Sequence, residues 1–142
     1  MKRSVLTDAE GIPLSVAVAG ANRHDMKMFK ETVDNLKVKR PKPTEKHPQG
    51  MCLDRGYDYE EIRKLVEAFG FTAHIRSRGE EAQQIKKEAQ KKARRWVVER
   101  THSWMNRFRG ILIRWNKKPE NYIATLHIAC GIITWKATGL LG

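Results

Sequence analysis

Met51-Cys52-Leu53-Asp54-Arg55-Gly56-Tyr57-Asp58 is a short apolar run that ends on an acid and then turns. The run predicts a buried strand over 51–54, with Gly56 serving the turn that follows. Asp58-x-x-Glu61 has the spacing of a capping box, with Asp in place of the usual Ser or Thr. The helix it opens would bury Tyr59, Ile62, Leu65, Val66 and Phe69, and Gly70 would close it. Phe71 to Ile75 is the next short strand. Strand, helix and strand in close succession indicate an α/β fold. In such folds ligands gather beyond the carboxyl ends of the strands, and Asp54 stands at one.

Upstream, Ser4–Asp8 and Ile12–Ala19 read as two strands joined by Asp8-Ala9-Glu10-Gly11, a hairpin within residues 1–20. Asp8 at that tight turn reads as a turn-former. Asp25 can cap a helix reaching about Leu36, with Met26, Phe29, Val33 and Leu36 facing inward. Val38 to Gly50 holds Pro41, Pro43 and Pro48 among lysines and reads as an exposed loop. Downstream, Arg76 to Arg94 is polar and fits a loop, a helix or both. A long helix is expected from about Ala93 to Gly110, with an apolar stripe of Val97, Trp104, Phe108, Ile111 and Trp115 extending the element over 93–115. At ~100° per residue Glu99 lies about 140–160° from that stripe and shares a face with Arg95, Ser103 and Asn106. Pro119 starts a last helix with Tyr122, Ile123, Leu126, Ile133 and Trp135 as core. Neither an internal repeat nor a linker is visible, so residues 1–142 read as a single domain.

The chain carries 28 Lys and Arg against 16 Asp and Glu, a net +12 over 142 residues. The charge is concentrated: residues 76–118 hold 14 of the basic residues and only 4 acids. A basic segment with Trp96, Trp104 and Trp115 interleaved suits a phosphate backbone, because Lys and Arg release its condensed counterions. The alternative is a solvated basic helix with its tryptophans in the core. No apolar stretch approaches the ~18 residues of a membrane span, and the start lacks the apolar run of a signal peptide. Cys52 and Cys130 sit in apolar surroundings and read as buried thiols, in keeping with a reducing cytoplasm. Tyr57 and Trp96 read as packed. The five histidines show no metal-ligand spacing, and no Gly-rich phosphate loop, nucleophile elbow or dinucleotide fingerprint is present.

Asp54 and Glu99 are the acids whose placement could carry chemistry. A strand-end carboxylate and a helix carboxylate can converge on Mg²⁺, which prefers oxygen ligands and retains water. Two such ions can activate one oxygen and stabilise another in phosphodiester chemistry. On spacing alone, Asp54 equally fits a turn acid, and Glu99 a surface ion pair with Arg95 or Arg100.

Leu53-Asp54-Arg55-Gly56-Tyr57-Asp58 resembles the segment around the second acid of DDE transposases from bacterial insertion sequences. Arg94-Arg95-Trp96-Val97-Val98-Glu99-Arg100-Thr101-His102-Ser103-Trp104, with Arg107-Phe108-Arg109, resembles the helix that carries their third acid. Gly20 to Asp25, the hairpin and Arg76 to Glu80 are also similar, so the resemblance covers nearly the whole chain. It implies an RNase H-like mixed sheet flanked by helices that cuts and rejoins DNA at element ends with Mg²⁺ or Mn²⁺. Asp54 and Glu99 would then be the second and third metal-binding, catalytic acids. Arg95 and Arg107 would contact element-end phosphates, with Arg94, Arg100 and Arg109 as further DNA-binding residues. Family patterns often place the downstream basic residue seven positions after the glutamate; here that position is Asn106, and Arg107 follows it.

In such transposases the first aspartate lies on a strand upstream of the hairpin, and this chain begins at the hairpin. The expected fold is therefore N-terminally truncated, lacking the first strand, and a site left with two carboxylates should bind metal weakly. Self-association, or pairing with an upstream-encoded transposase half, is the partnership this implies, besides element-end and target DNA and with no membrane. Two readings result: the C-terminal part of a transposase, or a DNA-binding remnant or accessory, inhibitory fragment without chemistry. A basic RNA- or protein-binding module is a more distant third. The expected location is cytoplasmic, at the nucleoid.

Overall fold

A computed structural model describes residues 1–75 and 95–139. The chain divides into two compact units, one of Met1–Lys37 with Trp96–Gly142 and one of Val38–Arg95. The α/β expectation holds, but the described strands form two two-stranded sheets instead of one mixed sheet.

The first unit opens with β1 (Lys2–Thr7) and β2 (Pro13–Ala19), antiparallel and in register at Val5 and Val16. Asp8 shapes their connection: its Oδ1 accepts the backbone N–H groups of Glu10 and Ile12, both at 2.9 Å. Gly11, at φ +90°, completes the turn in the left-handed region that favours glycine. Helix α1 (Asp25–Asp34) packs on the hairpin through Met28, Phe29, Thr32 and Val33. Asp25 is not its cap, because it already lies inside the helix and pairs with Lys2 at 3.0 Å. The extended residue before it, His24, caps instead, its Nδ1 accepting from Met26 N–H at 3.3 Å.

The glutamate helix, α3 (Arg95–Asn106), is shorter than expected over 93–115. The N–H groups of Arg107 and Phe108 bond three residues back, to Trp104 and Met105, which tightens and ends it. Phe108 is extended and caps a one-turn α4 (Arg109–Leu112), after which Ile113 is extended again. These breaks shift the helical phase, so the stripe does not reach Trp115, which is 66% exposed. Helix α5 (Pro119–Ala137) has proline in its first turn, where a missing N–H costs nothing. It buries Tyr122, Leu126, Ala129 and Ile133 against Val16, Met105 and Ile111. Trp135 falls off that face and is exposed, contrary to its expected place in the core.

The second unit is a β–α–β element. Strand β3 (Gly50–Leu53) runs parallel to β4 (Thr72–Ile75), with α2 (Glu60–Ala68) between them. Val38–Gln49, ahead of β3, is an irregular, mostly exposed loop. Helix α2 buries Ile62 and Val66, and Gly70 ends it at φ +83°. The Asp58 capping box does not form: α2 starts at Glu60 without a side-chain cap, and Asp58 is held at 2.8 Å by Arg63. Tyr59 is exposed where burial was expected. Strand period 2 likewise sends Met51 inward and Cys52 outward, so Cys52 is not the expected buried thiol.

Candidate active-site acids and nucleic-acid surface

Asp54 follows the last residue of β3, at the carboxyl end of the parallel pair, and is exposed. Its carbonyl accepts the Tyr57 N–H at 2.9 Å, closing the short 3₁₀ turn Arg55–Tyr57. Arg63 braces this end of the unit, donating to Asp58 and, at 3.2 Å, to the carbonyl of Ile75 at the end of β4. At the other end, Gly50 lies under His74: a Cβ there would sit 2.7 Å from the ring Nε2, so a larger residue would push the exposed ring aside.

Glu99 belongs to the first unit and is exposed on α3. It lies about 160° around the helix from Val97 and Thr101, which face inward. Thr101 is 0% exposed, and its hydroxyl donates to the Gly11 carbonyl at 2.5 Å. Arg100 donates to the carbonyl of Glu10 and lies over the Trp104 ring, 4.9 Å from its centroid. Two consecutive residues after Glu99 thus fasten the helix to the hairpin turn. Arg100 is directed at that turn, while Arg107 and Arg109 are exposed. Arg94 lies outside the described residues, and of Arg95 only the backbone is described, as the first residue of α3.

On the face of Glu99, two turns on, Asn106 accepts from Arg3 of β1 at 2.9 Å. The guanidinium therefore reaches the position at which the sequence offers only an amide, a pairing across 103 residues that was not legible in the sequence. The second terminal nitrogen of Arg3, Nη1, is buried and finds no hydrogen-bond partner among the described residues. Burial, and secondarily the charge of Arg3, lower the pKa of His102 below 6.5, so the imidazole is neutral at pH 7. Burial pushes the Cys130 thiol up to about 11 against the opposing pull of Arg3, which leaves it unreactive at neutral pH.

Among the described residues no group of three or more His, Cys, Asp or Glu side chains comes together. Asp54 and Glu99 are carboxylates, the donor type a hard divalent cation takes. No helix of the described residues is long and apolar enough to cross a membrane.

Residues 1–133 match the family model of the transposase DDE domain. The chain is 33% identical over 138 residues to a Burkholderia cepacia protein described as a transposase for insertion sequence element IS402. That match covers 94% of this chain and 62% of the relative, so the chain spans under two thirds of the relative's length. No solved structure gave a significant match.

Proposed function

The chain belongs to the transposase DDE domain family, and from that premise we propose that it is the part of an insertion-sequence transposase that carries the second and third acids, Asp54 and Glu99, and binds element-end and target DNA. On this reading Asp54 and Glu99 are metal-binding acids of an RNase H-like fold and take Mg²⁺ or Mn²⁺. The third ligand would come from an aspartate on a strand preceding the hairpin. When bound, the metal supplies charge stabilisation to the attacking and leaving oxygens of a phosphodiester.

The chain's own residues do the rest. Thr101 and Arg100 fix α3 to the hairpin, so that Glu99 is held outward on a helix that cannot rotate. The turn after β3 presents Asp54 at the strand's carboxyl end, and Arg63 stiffens that end. Arg107 and Arg109 meet phosphates, with Arg94 and Arg95 as further contacts. The observation that carries the reading is the disposition of Glu99: exposed on the face of α3 opposite residues fastened to the hairpin. Self-association is part of the same reading.

Mn²⁺-dependent nicking of a DNA element end tests the proposal. Cleavage abolished by Glu99→Gln and by Asp54→Asn, with folding unchanged, is the expected result. DNA binding that weakens with salt but yields no cleavage would instead identify an accessory or inhibitory fragment without chemistry. Binding insensitive to salt would refute both.

A further inference from the structure

Trp115 is the large aromatic that the fold leaves outside. It is 66% exposed, and its exposed neighbours Leu112 and Ile113 add apolar surface beside it. Arg109 lies over the ring, its guanidinium carbon 5.2 Å from the centroid. With one face so covered, that degree of exposure leaves the other face open. The segment is not slack: Arg114 donates to the carbonyls of Asn116 and Lys117 at 3.1 and 3.2 Å and lies over the Tyr122 ring. From Arg107 to Lys118 there are five cations, Arg107, Arg109, Arg114, Lys117 and Lys118, and no acid.

An indole held on one side by a cation, open on the other and embedded in positive charge suits a π-face next to a phosphate chain. We infer that Trp115, backed by Arg109, is a stacking platform for an unpaired nucleobase, with Lys117 and Lys118 placed on the chain to meet flanking phosphates. The inference rests on the reading that the chain binds DNA, and it adds a preference for single-stranded over fully paired DNA. Cationic surfaces with exposed apolar residues also bind anionic membranes, but that mode relies on an amphipathic helix lying in the interface. Helix α4 has four residues, and Trp115 lies beyond it.

The test uses the full chain at one salt concentration with three probes: a blunt duplex, a single-stranded oligonucleotide of the same sequence, and phosphatidylserine–phosphatidylcholine vesicles. Trp115→Leu should weaken single-strand binding on the order of 5- to 150-fold, the range for loss of one stacked base. Trp115→Phe should lose less, duplex affinity should not move, and thermal melting should be unchanged because the side chain is exposed. Salt-dependent duplex binding with single-strand affinity indifferent to Trp115→Leu would overturn the platform while leaving the DNA reading intact. Equal losses on both DNA probes, or Trp115-dependent binding to vesicles alone, would also overturn it. Failure of the wild-type chain to bind either DNA would remove the DNA reading and the platform together.

Discussion

Replacing Thr101 by valine removes one hydroxyl from a site with 0% exposure and changes almost nothing in shape. The Gly11 carbonyl, 2.5 Å from that hydroxyl, loses its donor at a buried turn. A net hydrogen bond is worth about 0.5–1.5 kcal/mol, but a buried acceptor left unpaired costs about 1–3 kcal/mol, and the second figure governs here. At about 4 °C per kcal/mol for a chain near this size, melting should fall by roughly 4–12 °C. Thr101→Ser keeps the donor and loses a methyl group, worth about 0.8 kcal/mol, so it should melt between valine and wild type. Gly11→Ala attacks the same contact from the other side. It places a Cβ 3.1 Å from Thr101 Oγ1 and demands φ +90° of a residue with a side chain. The left-handed conformation alone costs about 1–2 kcal/mol. Circular-dichroism melts of the three variants and of the Gly11→Ala/Thr101→Val double variant would reveal coupling between residues in contact. A valine variant as stable as wild type, or a serine variant less stable than valine, would refute the latch.

Three further outcomes follow from the same structure. His102 is held neutral by burial and by Arg3, so its folded pKa lies below 6.5 while the unfolded chain protonates near 6.5; stability is complete above that value and declines as pH falls through it. Urea midpoints at about pH 8 and about pH 5 should differ less in His102→Gln than in wild type, and a variant with the same pH dependence would contradict the placement. Leu126, at 0% exposure, should cost about 2–5 kcal/mol as alanine, whereas Ile128, 66% exposed on the same helix, should stay within about 0.5 kcal/mol. Maleimide should label exposed Cys52 rapidly near neutral pH and Cys130, its thiol pushed up to about 11, slowly; equal rates would mean the burial pattern is wrong.

What could be read from the sequence was local. The hairpin announced itself through Asp8 and Gly11, whose turn chemistry involves residues two to four apart, and the end of α2 through Gly70, whose φ of +83° is a property of one residue. The α/β pattern around Asp54 and the outward face of Glu99 came from periodicity, which a single element sets by itself. The failures involve side-chain partners that periodicity does not display, some a turn away and some distant in sequence. Asp58 looked like a cap until Arg63 engaged it, and Asp25 until Lys2 did. Thr101 interrupted an otherwise apolar stripe and was passed over, because its acceptor lies 90 residues away in the hairpin turn. The end of α3 at Asn106 is marked by neither Gly nor Pro, so an unbroken stripe to Trp115 looked natural.

The same contrast separates two kinds of arginine within one motif. Arg100, Arg107 and Arg109 are equivalent in a charge count, and resemblance assigns all of them to DNA. Arg100 donates to a backbone carbonyl and packs on Trp104, and its planar fork makes both contacts at once, which lysine could not do. Arg107 and Arg109 are exposed, Arg109 over the equally exposed ring of Trp115, and among the described residues neither is spent on a backbone carbonyl, so on the proposed reading each can exchange counterions for phosphate. Substituting Arg100 would therefore disturb the seat of Glu99 before it removed any contact with DNA. A loss of activity at that position would measure the orientation of the helix, whereas a change in the salt slope of binding would come from Arg107 and Arg109. On the proposed reading, a motif that fixes an acid, arginines and aromatics together combines two physical requirements, holding the glutamate's helix and meeting a polyanion, and burial tells which residue serves which.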